Sequence, residues 1–136
     1  MKTKCGLAIG ALILAMCGSA AAAGVDSRMT GAWATTQADC KKLFERRGGA
    51  LAFRQPVDQF AQAAIITPSV VTLPNQICRV TRTSGKGGVT TVDFDCRDSI
   101  SYTSQSVELE IKSGTELVYR PNGDKTLDTT LIKCGV

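Results

Sequence analysis

The chain is predicted to be mainly β: a small antiparallel barrel or sandwich of about seven or eight short strands, with one short N-terminal α-helix and two disulfides. Three observations lead there. Everything after Gly49 alternates apolar and polar residues in short runs broken by glycine, proline or asparagine turns. A single helical pattern precedes those runs. Four cysteines, Cys40, Cys78, Cys96 and Cys134, lie far apart along residues 24–136 and fit bridges better than a clustered metal site.

The chain has 136 residues, and its first 23 read as a secretory signal. Lys2 and Lys4 form a basic start, Gly6 to Met16 an apolar run, and Ser19 to Ala23 a small-residue stretch with overlapping A-x-A frames. A spanning helix would need roughly 20 apolar residues. Cleavage near Ala23 is therefore expected, leaving 24–136 as a single β domain in the periplasm or secreted, where the environment is oxidising. Cys5 and Cys17 leave with the signal. Leu14-Ala15-Met16-Cys17 faintly matches a lipoprotein processing site, although Met16 is larger than the residue such sites carry before the cysteine.

Gly24 to Thr30 is expected to be a frayed lead-in, and Gly31 to Thr35 a first strand carrying the only tryptophan, Trp33. Thr36 or Asp39 can cap a helix in which Cys40, Leu43, Phe44 and Arg47 recur at i, i+3, i+4 and i+7 until Gly48-Gly49 stop it. Leu51 and Phe53 then alternate before Pro56, Ala63 to Thr67 runs to Pro68, and Val70 to Leu73 runs to Pro74. Ile77 to Thr83 and Val89 to Arg97 read as a hairpin about the glycine-rich turn 84–88. Its dry face carries Cys78, Val80, Val92, Phe94 and Cys96. Val107, Leu109 and Ile111, then Leu117 and Tyr119, then Thr129 to Cys134 complete the strands. A barrel is favoured because closure removes exposed edges, with the helix plugging or flanking one end. Of three possible cysteine pairings, the hairpin favours Cys78 with Cys96, which leaves Cys40 to join Cys134.

Gly31-x-Trp33, a cysteine seven positions after that tryptophan, Leu43-Phe44, two cysteines across a hairpin, and a closing Lys133-Cys134 together resemble the mostly uncharacterised small exported, disulfide-containing proteins of α-proteobacteria. The resemblance implies a periplasmic location and a compact β fold, and it carries no catalytic residue. The secreted lysozyme inhibitors, also small disulfide-bonded barrels, are a looser likeness whose inhibitory loop motif has no counterpart here.

No histidine is present, which removes the usual general base, the Ser-His-Asp arrangement and His-based zinc sites. The carboxylates Asp93, Asp95 and Asp98 are the one hydrolase candidate, set against the simpler expectation that they form a solvated strand face beside Arg79 and Arg97. Asn122-Gly123-Asp124 with Asp128 offers oxygen ligands for calcium, but as a tight turn it needs these residues anyway. Gly85-Lys86-Gly87-Gly88 lacks the strand–loop–helix setting of a phosphate cradle. Lys41, Lys42, Arg46 and Arg47 form a basic cluster on the expected helix, a possible binding surface or simply a solvated face. Trp33 is assigned to core packing. The polar stretch Ser99 to Ser106 around Tyr102 is expected to be a loop and the place for a functional mouth.

With 16 basic and 12 acidic residues, of which Lys2 and Lys4 leave with the signal, the charge surplus does not suggest nucleic acid. The expected function is non-enzymatic binding of a protein or small molecule in the periplasm or envelope, as a monomer without cofactor or metal. The alternatives are a structural or lipid-anchored envelope protein, which alone would touch a membrane, and a carboxylate-based hydrolase.

Overall fold

In the computed structural model, which describes residues 24–136, the alternating runs become ten strands. These are β1 (Gly31–Ala34), β2 (Phe44–Arg47), β3 (Ala50–Phe53), β4 (Ala63–Ile66), β5 (Val70–Leu73), β6 (Gln76–Lys86), β7 (Val89–Arg97), β8 (Tyr102–Ser113), β9 (Glu116–Pro121) and β10 (Thr129–Cys134), with one helix, α1 (Gln37–Leu43). Eight of them close an antiparallel barrel in the order β1-β10-β9-β8-β7-β6-β5-β4, and β2-β3 stand apart as a hairpin. The signal segment, with Cys5 and Cys17, lies outside the described residues. From β4 to β10 each strand pairs with the next in sequence, so only β1 is out of order. It closes the ring by pairing with both β10 and β4.

Period-two alternation sends one face of every strand inward. Trp33, Phe94, Leu109, Leu117 and Leu131 fill the interior. A residue added at Thr81, a bulge between Val80 and Arg82, reverses the parity of β6. Before that point Cys78 and Val80 face inward, and Cys78 lies directly opposite Cys96, to which it is bonded; after it Thr83 takes the inward position opposite Val92.

The lead-in is not frayed. Val25 and Met29 are 5% and 2% exposed and join the interior cluster. Val25 N–H donates to Pro68 O at 2.9 Å, and the Trp33 indole donates to Met29 O at 2.8 Å. A barrel open here would leave that buried indole N–H without a partner, a costly state. Residues 25–29 therefore plug this end, beside the β4–β5 turn, and not the helix. At the same end Lys133 lies over the Trp33 ring, 5.5 Å from its centroid. Gly31 makes room for it: its φ is +128°, and a Cβ there would stand 3.1 Å from Lys133 Cε.

The helix instead covers the outer wall of β1 and β10. Thr36 caps it, its hydroxyl accepting from Asp39 N–H at 3.1 Å. It ends at Leu43, earlier than expected. Phe44–Arg47 leave it as a strand paired with Ala50–Phe53. Gly48-Gly49, with φ of +59° and +83°, form the two-residue hairpin turn that demands positive φ at both positions. The i+7 position of the expected helix was Arg47, which has no apolar stake in a helical stripe, whereas Phe44 stacks on Phe53 with centroids 5.1 Å apart. These rings, Cys40, Cys134 and Ile65 form a second core against Ala32, Ala34 and Ala63. β1 and β4 are thus buried on both faces, and alanines let the outer layer approach.

The Cys40–Cys134 disulfide ties α1 to the last strand across 94 residues. Replacing both cysteines with alanine is expected to cost about 4.7 kcal/mol in guanidinium unfolding, the loop-closure value for a ring of that length. Met29→Ala, which opens the plug, should cost about 2–4 kcal/mol by the same measurement.

Candidate functional site

Opposite the plug the barrel is open. The β3–β4, β5–β6, β7–β8 and β9–β10 connections gather at this end. Among them lies a cavity of about 350 Å³, lined inside the barrel by Ala64, Leu73, Tyr119 and Leu131 and at its rim by Gln59, Gln62, Asn75 and Leu127. Strand alternation places them. On β9, Leu117 is deep, Tyr119 is nearer the mouth and Pro121 ends the strand, while Leu131 opposes Leu117 on β10. Ala64, on a wall shared with β1, is too small to fill the space above Trp33. No residue lining the cavity carries a charge. Burial pushes the Tyr119 phenol above its ordinary pKa, so it remains a neutral hydrogen-bond donor. No described side chain or main-chain group hydrogen-bonds its hydroxyl.

The residues singled out from sequence lie elsewhere. Asp93 and Asp95 are on the outer wall. Asp93 accepts from Ser106 Oγ and Arg82 Nε, both at 2.8 Å, and Asp95 accepts from Ser104 Oγ at 2.8 Å. Asp98 caps the β7–β8 turn, accepting from the N–H groups of Ile100 at 2.8 Å and Ser101 at 2.7 Å. The Ser106 hydroxyl chiefly lowers the pKa of Asp93, and the Ile100 N–H that of Asp98. A general acid needs the reverse of the shift seen at Asp93 and Asp98, and the hydrogen bonds of all three carboxylates are those of turn and ladder chemistry.

The basic cluster is divided. Lys41 and Lys42 are on α1, while Arg46 and Arg47 are on β2 and point to opposite sides. Arg46 donates to the main-chain oxygens of Val136, at 2.9 Å and 3.1 Å, and of Gly49 at 2.9 Å, fastening the C-terminus to the hairpin. Arg47 pairs with Glu45 and borders a separate cleft between β3 and the wall at Ile65 and Ile77. The expected loop 99–106 is mostly strand: Tyr102 already pairs with Arg97 at the start of β8. Its hydroxyls made it look like a loop, yet Ser104 and Ser106 spend theirs across the ladder on Asp95 and Asp93. Tyr102 is 67% exposed on the outer face and lines no part of the mouth. In the β9–β10 connection, Asp124 accepts from Thr126 N–H at 2.9 Å and Asp128 is bound to Arg120. No three-ligand metal cluster occurs among the described residues.

Arg120 was not anticipated. It is 6% exposed and holds three carboxylates: Asp128 at 2.6 and 2.8 Å, Glu108 at 3.0 Å and Glu110 at 3.5 Å. Asp128 adjoins Leu127, so this cluster fixes one side of the mouth to the β8–β9 wall. The alternation of Glu108 and Glu110 was visible in sequence; their shared guanidinium was not. Comparison with protein families, curated proteins and solved structures finds no match.

These lowered carboxylate pKa values set the response to acid. A depressed native pKa gives stability that is complete above the unfolded value, near 3.9 for Asp, and is lost as pH falls through the native values. The melting temperature should hold from pH 7 to about 4 and then fall towards pH 2. Asp128→Asn should lower it at pH 7 and flatten that acid slope, since the Arg120 guanidinium is what chiefly holds the Asp128 pKa down.

Proposed function

We propose that this protein is an exported, non-enzymatic binding domain that takes a small, uncharged and largely apolar group into the open end of its barrel. One observation carries the reading: a barrel plugged at one end opens at the other into a neutral cavity, into which a single half-buried phenol, Tyr119, projects with no protein partner for its hydroxyl. Its volume of about 350 Å³ lies at the small end of the range for ligand pockets, roughly 300–1,000 Å³. Apolar walls with one well-placed polar group are what such pockets use to gain affinity and orientation.

Export is supported by the signal-like leader and by two disulfides, which persist in oxidising compartments. A non-catalytic role is supported by the absence of histidine and by carboxylates already engaged in turns and ladders. A purely structural envelope role would predict no uptake at the mouth.

The neutral fluorophore N-phenyl-naphthylamine tests this directly. Saturable binding of one molecule per chain is expected. Leu131→Trp, or Ala64→Leu should that variant not fold, fills the cavity and should weaken binding tenfold or more, on the order of one lost apolar contact surface. Tyr119→Phe should leave the melting temperature near its original value. It should weaken a hydrogen-bonding analogue of the fluorophore by roughly 2- to 10-fold, the worth of one neutral hydrogen bond. Absence of saturable binding by the unaltered protein would reject the proposal.

A further inference from the structure

Five large apolar side chains among the described residues are left in water; Ile77 and Tyr102 lie on strands β6 and β8, and the other three stand on loops at the mouth end. Phe60 and Ile100 are each 94% exposed and Leu127 is 53% exposed. They sit in the β3–β4, β7–β8 and β9–β10 connections. The turns at the plugged end, 67–69, 87–88 and 114–115, carry no such residue.

These three of the four mouth-end loops share one construction. Asp58 Oδ1 accepts from Phe60 N–H at 3.0 Å, Asp98 Oδ1 from Ile100 N–H at 2.8 Å, and Asp124 Oδ1 from Thr126 N–H at 2.9 Å. Each is an aspartate bonded to the main chain two residues on, which turns the backbone and leaves a large apolar side chain at or beside the tip. Strand order spreads the three around the opening, at β4, between β7 and β8, and between β9 and β10.

That arrangement favours one kind of surface. Protein interfaces concentrate apolar anchors at a packed centre, whereas the centre here is the opening itself. Separated tips suit a fluid surface that closes around each of them. The N–H groups at the tips already have acceptors, so a tip can leave water without orphaning its backbone. Charge gives no reason to seek an anionic surface: Arg54, Arg97 and Lys125 stand among Asp58, Asp98, Asp124 and Asp128. We propose that the mouth end rests on a zwitterionic phospholipid bilayer, with Phe60, Ile100 and Leu127 entering the headgroup boundary around the opening. The sequence pointed to membrane contact only through an acylated Cys17; these tips need no lipid anchor. The proposal rests on the binding reading in one respect, that the group entering the mouth comes from the bilayer.

Trp33 is buried and hydrogen-bonded, so a Phe60→Trp variant reports on the tip against a constant background. With phosphatidylcholine vesicles its emission should shift to the blue and the protein should float with the vesicles. The double variant Phe60→Asp, Ile100→Asp should lose about tenfold or more in vesicle affinity per tip. It should keep its melting temperature and its binding of N-phenyl-naphthylamine without vesicles, because neither residue lines the cavity. Leu131→Trp should do the reverse, floating with vesicles while losing the fluorophore, so failure of either idea is visible separately. No blue shift and no flotation would overturn the proposal, as would flotation that the double variant retains. Flotation that needs anionic lipid and disappears in high salt would also overturn it and assign the contact to Arg54, Arg97 and Lys125. Capture of an exported protein by these tips without flotation would overturn it in favour of a protein interface.

Discussion

Closure of the barrel rests on four residues, Gly31–Ala34. This strand alone joins β10 to β4, and it is buried on both faces. Its requirements are opposed from one residue to the next. Trp33 must be large to fill the interior, and Ala32 and Ala34 must be small so that Phe44 and Cys40 can pack against the outer wall beside Ile65. A strand sandwiched in this way carries no polar alternation. Much else answers to it: the Met29 plug receives the Trp33 indole, the Cys40–Cys134 bridge holds the outer layer on, and the β2–β3 hairpin covers what remains.

The outer wall divides into two chemistries. Around β1, β4 and β10 it is apolar and covered. Around β6 to β9 it is charged and bare, and there the side chains work across the ladder: Arg82 with Asp93, Ser104 with Asp95, and Arg120 with its three carboxylates. Exposed pairs of the first kind contribute little to stability. Arg120 differs because it is enclosed; its position ties the connection before β10 to the sheet and so helps shape the rim of the cavity.

Several features were legible in the sequence because they depend on neighbours. The Cys78–Cys96 hairpin follows from alternation and a glycine turn, and it left Cys40 to join Cys134. The helix start at Thr36 is a local hydrogen bond. The misreadings have a common cause, which is that partners distant in sequence override local pattern. Phe44 leaves the helix because Phe53 is its better neighbour. Val25 and Met29 are isolated apolar residues in a polar lead-in, and only the end of the barrel that they plug gives them a place. Ser104 and Ser106 look like loop residues until Asp93 and Asp95 lie opposite them. The mouth was illegible for a stronger reason: Ala64, Leu73, Tyr119 and Leu131 come from four strands, and what they define is a space that no residue fills.

The plug behind Trp33 makes the interior a blind sac and not a conduit. A guest and the water it displaces must pass the same rim in opposite directions, and nothing can be pushed through from behind. Residence time is then governed by whatever the rim faces. In open water, departure of an apolar guest exposes it fully; against a surface of matching polarity, the same departure is an exchange between two like solvents.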